Sequence, residues 1–579
     1  MGLNYALLNG ASGMRATQTA INTVSHNLAN SETEGYSRQR VFMSSQPGSA
    51  SDPSKGGRGA TIEKVTRVSD RFVSEQVRRD RNLLGFFTSR EQALQSLESV
   101  YSEDIAPSVN SGFDNFFNTL RDLTRDPANR GARAQFLSGA QGIVDVFRSV
   151  HEDLRKLQLG IDNDLAGRVG EVNDLAARIA QLNTEVVAAG GASLDFEDKR
   201  DEAIRRLSEL VPISVVEQST GSVHVQLEGV GTIVQDGLSA KIATLPDPAN
   251  RRVARVMLTG IGSVEQRDIT DKVNRGEVGG LIALRDQTIG SLLNDINSLA
   301  QEFADALNAQ HEAGFDLNGD RGQALFTFKD PTGDPASNIQ INTAISANTD
   351  LIALSSNALR DPVTGAVTAG VPGDALNGIA MTDLQYMTRT AIAGVQAGSS
   401  YTGRIQVGGT YNASIGSAPV SLTAVSNGDP SAVTFRIDGL PTSLLAAGLE
   451  DNGGVGYTAA QVNAILNPLG VNLNFDTNGS SFTAGDRVNL DFVSRPSTFN
   501  RKVAETLQFV GQTAKFNYEQ TDIHVNRLQQ SENLMESVVG VSIDEELLDL
   551  TRFEKQFAAN GKVIQTVNEL MDSILQLVG

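Results

Sequence analysis

Cysteine is absent from this chain of 579 residues. The protein therefore has no disulfide bond, no thiolate zinc site and no cysteine nucleophile. The same absence suits a protein that leaves the cell without an oxidative folding step.

Long hydrophobic runs are also missing. No window holds about 18 uninterrupted apolar residues, so the sequence predicts no transmembrane helix. The opening stretch MGLNYALLNG has neither the basic start nor the long apolar segment of a conventional secretory signal. These absences fit either a cytoplasmic protein or export by a route that cleaves no signal.

Positive charge is in short supply. Lys and Arg total 48 against 68 Asp and Glu, which gives a formal net charge of −20 at pH 7. Such a surface repels phosphate backbones and anionic lipids, so nucleic acid and membrane are poor partners. Solubility is the ordinary explanation of such a charge.

Motifs that carry chemistry are absent as well. None of the five histidines lies in an H-E-x-x-H spacing, and no phosphate-binding glycine loop or G-x-S-x-G elbow occurs. The segment DLNGD at 316–320 begins like a calcium loop, but Arg321 and Thr327 stand where that loop needs a glycine and a bidentate acid. We therefore expect a turn there, and no catalytic residue, metal, cofactor or enzymatic activity.

Both ends of the chain carry apolar side chains at spacings of four and three residues, which predicts one coiled-coil-like helix at each end. Asn560 is the polar exception in the second stripe, and a polar residue in such a seam lowers stability but can fix the register. We expect the stripes to form an assembly interface. They are Leu7, Met14, Ile21, Val24 and Leu28 in the first helix, and Leu550, Phe553, Phe557, Ile564, Val567, Met571 and Ile574 in the second.

The first helix is expected to end near Asn30, where SETEG at 31–35 favours a turn. Gly35 would supply the backbone of that turn, and Asn27 and Asn30 would hydrogen-bond the helix end. Together with Tyr36, these residues are predicted to have a structural role and no ligand.

Between the ends, helical periodicity alternates with strand-like segments. Strand alternation with glycine turns covers 212–266, and the Gly-, Asn- and Ser-rich part 314–495 predicts short strands and loops. The predicted internal helices are 69–103, 132–187, 198–210, 277–313 and one that resumes near Asn500 and breaks at Val539-Gly540.

The predicted fold class is α+β: an elongated multidomain protein whose α-helical coiled-coil rod is built from both termini and carries inserted antiparallel β domains. The outer β-rich part is either separate from the preceding β domain or continuous with it. The predicted domains are a terminal helical assembly domain (1–40 with 540–579), a helical rod domain (41–211 with 270–313 and 496–539), a β domain (212–269) and the β-rich outer part (314–495).

Three segments resemble one family of bacterial proteins. In the first, AINTVSHNLAN at 20–30 precedes EGYSRQ at 34–39. It resembles the rod-type N-terminal signature of flagellar axial proteins, roughly N-N-I-A-N followed by G-Y. His26 and Leu28 depart from that pattern, and the Ser-Arg-Gln at 37–39 is similar to hook-associated protein 1 rather than to rod or hook proteins.

The second segment joins DKRD at 198–201 to LSELV at 207–211 and GSV at 221–223, and is similar to the link between rod and β domain in the same family. The third joins GVSIDEE at 540–546 to FEKQF and KVIQT further on, and resembles the family's C-terminal helix. There Phe557 stands where Tyr is usual, and Asn560-Gly561 replaces a stretch usually rich in alanine.

Resemblance to the hook-associated protein 1 family implies a structural subunit at the junction between flagellar hook and filament. It further implies export through the flagellar type III apparatus and an export chaperone on the C-terminal segment. The implied partners are copies of itself in a ring, hook protein and a second hook-associated junction protein. The implied location is the extracellular flagellum, reached without a cleaved signal peptide.

An isolated amphipathic helix of this kind is marginal in water, so the terminal stripes gain most when subunits pack together. We therefore expect both terminal segments to be poorly ordered in the free monomer and to fold on assembly. The competing interpretation makes the stripes the core of a helical bundle within one chain. For the whole protein, the alternatives are hook or another flagellar axial protein, a secreted adhesin or enzyme with a β passenger domain, and an intracellular coiled-coil scaffold.

Overall fold

The structure is a computed structural model that describes most of the chain. The described residues are 2–33, 35–46, 57–190, 194–247, 253–330, 332–360, 367–386, 391–395, 405–408, 420–429, 432–438, 456–466, 472–475, 481–492 and 498–578. Two compact units are formed. Unit 1 comprises 1–95, 158–288 and 513–579, and unit 2 comprises 96–157 and 289–512.

Long helices make up much of both units. Short π-helical turns cover Tyr101–Ile105 and Leu284–Ile289, and short 3₁₀ turns cover Thr270–Lys272 and Thr349–Leu351. The α-helices are α1 Gly2–Ala29, α2 Arg71–Val100, α3 Ala106–Arg125, α4 Arg130–Ala188, α5 Leu194–Leu210, α6 Gly276–Ala283, α7 Gly290–Ala313, α8 Pro335–Asn338, α9 Thr343–Ala347, α10 Leu376–Asp383, α11 Ala459–Leu466, α12 Phe499–Val539 and α13 Ile543–Val578.

The described strands form small antiparallel sheets. In unit 1 the sheets are β1-β2, β3-β4-β5-β6 and β7-β8-β9, built from β1 Gln39–Ser45, β2 Ala60–Arg67, β3 Ile213–Glu217, β4 Val223–Leu227, β5 Gly231–Gln235, β6 Leu238–Ser239, β7 Lys241–Pro246, β8 Ala254–Thr259 and β9 Gln266–Asp268. The predicted strand region 212–266 is therefore confirmed. Its alternation is visible in β4, where Val223, Val225 and Leu227 are buried and Gln226 is exposed.

In unit 2 the largest sheet has the strand order β14-β20-β16-β17-β18, and three pairs, β10-β11, β12-β13 and β15-β19, accompany it. The strands are β10 Phe326–Phe328, β11 Ile339–Ile341, β12 Ala358–Arg360, β13 Val367–Gly370, β14 Ala391–Val395, β15 Ile405–Gly408, β16 Val420–Ala424, β17 Thr434–Asp438, β18 Tyr457–Thr458, β19 Asn472–Phe475 and β20 Arg487–Phe492. In the described parts of 314–495 the short strands and loops agree with the prediction, whereas the short helices α8, α9, α10 and α11 were not predicted. The rest of that predicted range lies outside the described residues.

The predicted helix 69–103 is shorter than the helical segment that the structure contains. After α2 the chain passes through the π turn at Tyr101–Ile105 and continues as α3. Helix α3 was not predicted from the sequence. Pro107 lies in its first turn, where proline is tolerated because the first backbone N–H groups have no partner within the helix. The α+β class is confirmed, whereas the four-part domain division stays a prediction.

The remaining predicted helices are present close to their expected bounds. Helix α4 has 59 residues, which corresponds to about 90 Å at 1.5 Å per residue. The helix predicted from Asn500 begins at Phe499 and breaks at Gly540, where an added Cβ would collide with the Glu536 carbonyl oxygen. The second terminal helix therefore starts as a separate element, α13, at Ile543.

Phenylalanine rings fill the core of unit 2. Phe303 on α7 lies 5.1 Å from Phe116 and 5.3 Å from Phe113 between ring centroids, and both pairs are edge-to-face. Phe499 stacks on Phe113 at 5.2 Å. Aromatic pairs of this geometry add roughly 0.5–1.5 kcal/mol beyond burial of their area. In the same unit, a separate apolar cluster packs around Phe435 of the five-stranded sheet.

Candidate assembly interface

The two terminal helices contact each other within unit 1. Helices α1 and α13 pack along their length. An added Cβ at Gly10 would lie 2.9 Å from Ile564 Cγ1, and one at Gly13 would lie 2.8 Å from Asn560 Nδ2. Since the later residue of α1 meets the earlier residue of α13, the pair is antiparallel.

The buried face of α1 is made of small and polar side chains. Ala20 is fully buried, and Ala16, Thr17 and Asn27 are nearly so. Of the predicted stripe, Val24 is buried, whereas the structure places the larger members half-buried beside that face, namely Leu7, Met14, Ile21 and Leu28. Hydrophobicity predicts that the large residues of α1 are the buried ones, but the close approach of α13 favours burial of the small ones.

The stripe of α13 lies toward α1 for most of its length. Val567 is buried, while Ile574 keeps 48% of its surface exposed. The half-buried members are Leu550, Phe553, Phe557, Ile564 and Met571. The large side chains of the pair therefore come from α13 and the small ones from α1.

A second set of apolar side chains on α13 is left uncovered by the described residues of the chain. Leu548 is 72% exposed and Leu575 is 69% exposed, and the others are Leu547, Val563 and Leu570. We call Leu547, Leu548, Val563, Leu570, Ile574 and Leu575 the outer side of α13. Apolar surface of this kind on a helix is typical of a protein interaction site.

Both terminal segments are helical in the described chain and pack on each other. Their disorder in the free monomer and folding on assembly stay a prediction. Each finds an apolar partner in the other, which stabilises both without a second copy. The competing interpretation, in which the stripes pack within one chain, describes this contact. The outer side of α13 is left for assembly.

The end of α1 is held by the buried side chain of Asn27. Its Nδ2 donates to the Gln39 carbonyl oxygen at 2.9 Å and to Glu546 Oε2 at 3.0 Å. Its Oδ1 accepts from the Gln39 backbone N–H at 2.9 Å and from the Tyr36 hydroxyl at 2.8 Å. One amide thus joins the end of α1, the start of β1 and the first turn of α13.

Glu546 is a buried carboxylate that Arg38 neutralises. Arg38 Nε donates to Glu546 Oε1 at 2.7 Å, and Arg38 Nη1 donates to Glu545 Oε2 at 2.7 Å. Both glutamates lie in the first turn of α13, where the helix dipole also favours negative charge. Burial alone would lower the pKa of Arg38, but these two acids raise it, so Arg38 stays charged at neutral pH.

Tyr36 and His26 complete the helix-end cluster. Burial first, and then the charges of Asp198, Asp195 and Glu546, raise the pKa of Tyr36 well above its ordinary value. The hydroxyl therefore remains protonated and donates its hydrogen bond to Asn27. His26 Nδ1 lies 2.9 Å from the same hydroxyl and is then the donor in that contact.

Gly35 and Asn30 form the turn that follows α1. Gly35 has φ +80°, a left-handed conformation that favours glycine. Asn30 Nδ2 donates to the His26 carbonyl oxygen at 2.9 Å, and its backbone N–H also bonds to that oxygen at 3.2 Å. The chain thus leaves α1 through a turn that its own helix end stabilises.

The segment beginning at Asp198 meets the same cluster. Asp198 Oδ2 accepts from the Ser37 backbone N–H at 3.3 Å, and its Oδ1 accepts from Arg67 Nη1 at 2.6 Å. Arg67 also pairs with Glu197 and Asp201, and although burial lowers its pKa, these acids raise it. The three segments that resemble one family, far apart in sequence, therefore meet at the end of α1.

Sequence reasoning missed Arg67 and the buried role of Glu546. Arg67 stands at the end of β2, outside every motif quoted above. Glu546 lay inside a motif, but its neighbours Asp544 and Glu545 are also acidic, so the sequence did not distinguish the buried one. Burial of an acid beside an arginine depends on the fold.

The chemistry of this interface is hydrogen bonding and apolar packing. Within the ranges that the structure describes, no group of three His, Cys, Asp or Glu side chains is arranged to hold a metal ion. Asp316 has the predicted turn role, since its Oδ1 accepts the backbone N–H groups of Asn318 and Asp320. Among the described helices, none has the length and apolar character needed to span a membrane.

Comparison with known families gives three matches. Residues 94–326 match the family described as "Flagellar hook-associated protein FlgK helical domain". Residues 7–36 match "Flagella basal body rod protein", and residues 535–577 match "Flagellar basal body rod FlgEFG protein C-terminal". The two terminal matches contain α1 with its turn and α13, the elements of the interface.

Relatives resemble the chain over its whole length. Flagellar hook-associated protein 1 of Salmonella typhimurium is 26% identical over 99% of this chain and 100% of its own length. That of Bacillus subtilis is 26% identical over 56% of this chain and 70% of its own length. The flagellar hook junction protein FlgK from Burkholderia pseudomallei is a solved structure with 17% identity and a TM-score of 0.48, over 80% of this chain and 100% of that one.

The two terminal matches are to axial proteins of the bacterial flagellum. The helical-domain match makes that similarity more specific. The chain is similar to flagellar hook-associated protein 1 over almost its whole length.

Proposed function

We propose that this chain is a structural subunit of the junction between flagellar hook and filament. The observation that carries the proposal is the terminal helix pair, whose inner side is packed within the chain and whose outer side exposes Leu548 and Leu575. Burying one such side chain stabilises an assembly by roughly 1.5–3 kcal/mol. The match of 94–326 to the helical domain of hook-associated proteins favours this subunit over hook protein.

Assembly with other axial proteins of the flagellum follows from the family. The finer partners that we propose are further copies of this chain in a ring, hook protein on one side and a second hook-associated junction protein on the other. An export chaperone would cover the C-terminal segment before export, because α13 exposes apolar side chains that favour aggregation when free.

The flagellum is the location that the family gives. We further propose export through the flagellar type III apparatus without a cleaved signal, for which a cysteine-free chain is suited because no disulfide has to form outside the cell. The cluster of Asn27, Tyr36 and Glu546 is a set of hydrogen bonds that position helices. We therefore assign the protein a structural role and no catalytic activity.

A deletion strain tests the function. Cells lacking this chain should build hooks of normal length but release filament subunits into the medium, and a plasmid copy should restore filaments. Released subunits are measured by immunoblotting the medium, and hooks are counted by electron microscopy. Normal filaments in the deletion strain, or the absence of hooks as well, would contradict the proposal.

A further inference from the structure

Two polar side chains, Asn560 and Asn27, make contacts that join α1 to α13. At one, the Asn560 side chain packs on Gly13, and at the other Asn27 Nδ2 donates to Glu546. Asn27 lies 14 residues after Gly13, and Asn560 lies 14 residues after Glu546. Because the helices are antiparallel, the same register satisfies both contacts at once.

The apolar contacts of the pair do not select that register by themselves. Large side chains recur along α13 at steps of four and three, so sliding α13 by one heptad still presents an apolar stripe to α1. Such a slide would place Phe553 or Val567 over Gly13 in place of Asn560. Apolar burial is non-directional and would compensate for much of the change.

The contact at Gly13 has little spare room. An added Cβ would lie 2.8 Å from Nδ2 and 2.9 Å from Cγ and Oδ1 of Asn560, closer than carbon atoms approach in folded proteins. At Gly10 the added atom would lie 2.9 Å from Ile564 Cγ1. Gly10 and Gly13 thus form a notch, and the side chains of Asn560 and Ile564 fill it.

The neighbouring Gly561 shows that this fit is specific to one face of α13. Nothing lies within 4 Å of a Cβ built there, so its absence of a side chain is not required for packing. Of the two residues in the Asn560-Gly561 pair, Asn560 is therefore the one whose side chain the notch accommodates.

We propose that Asn560 is the residue that determines the register of the α1–α13 pair, with Glu546 as its second anchor. A fixed register holds the outer side of α13 at one position along α1, so every copy presents Leu548 and Leu575 alike. That last consequence rests on the proposed function, whereas the register itself does not. A polar seam residue of this kind gives up some stability for a single alignment.

Engineered disulfides report the register in the purified full-length chain, which has no cysteine of its own. The in-register pair is Gly10→Cys with Ile564→Cys, and the two pairs shifted by one heptad are Gly10→Cys with Phe557→Cys and Gly10→Cys with Met571→Cys. In otherwise unchanged chains, the in-register disulfide should form at least about tenfold more than either shifted one under mild oxidant. Failure of the in-register pair to cross-link overturns the proposal.

Adding Asn560→Leu should raise the shifted disulfides at least about tenfold relative to the in-register one. The matched control is Gln565→Leu, which puts the same side chain at an exposed position of the same helix and should leave the ratio unchanged. An unchanged ratio with Asn560→Leu, or an equal change with both variants, overturns the proposal.

A second measurement covers the case in which Asn560→Leu does not fold. Gly13→Ala alone should increase the cleavage rate of α1 by limited proteolysis several-fold, since the added methyl group meets the Asn560 amide. Gly13→Ala with Asn560→Ala should return the rate to within about twofold of wild type, and Gly561→Ala should not raise it. An undiminished rate in the double variant contradicts a direct contact.

These outcomes are independent of where the protein assembles. If the register is confirmed but the deletion strain keeps its filaments, the junction function fails and the assignment of Asn560 stands. If the filaments are lost but the shifted disulfides form freely in the unchanged chain, the assignment fails and the function stands.

Discussion

Polar side chains with several hydrogen-bonding atoms are buried at two informative positions, Asn27 in unit 1 and His311 in unit 2. In both cases the surroundings satisfy the donors and acceptors, as burial requires. His311 Nδ1 lies 2.6 Å from the Gln323 carbonyl oxygen, and the Ala353 backbone N–H donates to Nε2 at 2.9 Å. Nδ1 therefore carries the proton of a neutral ring.

We predict that His311 makes unit 2 sensitive to acid. Burial lowers the pKa of His311 to about 4, from an ordinary value near 6.5. Because the folded-state pKa is the lower one, its stabilising effect is complete above about pH 6.5 and is lost as pH falls toward about 4. Between pH 7 and pH 4.5, the unfolding free energy of the wild type should fall by about 2 kcal/mol more than that of His311→Gln.

Urea unfolding at the two pH values measures this difference, with fluorescence or circular dichroism as the signal. Equal pH dependence in wild type and His311→Gln would show that the prediction is wrong.

Gly35 is the second residue for which a single substitution is informative. Gly35→Ala should lower the unfolding free energy by about 1–2 kcal/mol, because φ +80° is unfavourable for residues with a Cβ. The new atom would also lie 2.6 Å from Arg205 Nη2. Gly170→Ala, inside α4 with nothing within 4 Å, should instead raise stability by up to about 1 kcal/mol. Thermal unfolding of both variants checks the opposite signs.

At the scale of elements, the end of α1 depends on chain segments more than 500 residues away. Asn27 connects α1, the start of β1 and the first turn of α13 through four hydrogen bonds. The elements at both chain ends therefore act as one structural group.

Asn27→Ala should lower the unfolding free energy by about 2–4 kcal/mol, since the Gln39 backbone groups and Glu546 Oε2 lose the hydrogen bonds that Asn27 makes to them. Asn22→Ala on the same helix should change it by less than about 0.5 kcal/mol, because Asn22 is exposed. Chemical denaturation of both variants measures the difference. Equal effects of the two substitutions would mean that the buried network contributes nothing of its own.

At the scale of the whole molecule, folding and assembly use different sides of one helix. The inner side of α13 packs on α1, and its outer side exposes Leu548 and Leu575. A change on the outer side should therefore affect assembly without affecting the stability of the single chain.

The double variant Leu548→Ser with Leu575→Ser should keep the melting temperature within about 2 °C of wild type and fail to restore filaments in the deletion strain. Val264→Ser is the control, because Val264 is 98% exposed near the β8–β9 turn and far in sequence from α13. Full motility with the double variant would exclude the outer side of α13 from assembly, while a large fall in melting temperature would show that these side chains support the fold instead.

The sequence by itself determined the long helices, the break at Gly540, the antiparallel strands after Pro212 and the family to which the terminal motifs point. Those features depend on residues close together in the chain, namely on apolar spacing, glycine and proline. Even the Asn560 exception was visible as a polar residue in an apolar stripe.

Only the tertiary structure decided which face of α1 meets α13. Counting apolar residues selected Leu7, Met14, Ile21, Val24 and Leu28, but of these only Val24 is buried, beside the small residues Ala16 and Ala20. Two helices approach closely only where small side chains on one helix leave room for the side chains of the other helix at the same level. The meeting of Asn27 with Glu546 has the same physical cause, because a contact between residues 519 apart in sequence exists only when the whole chain has folded.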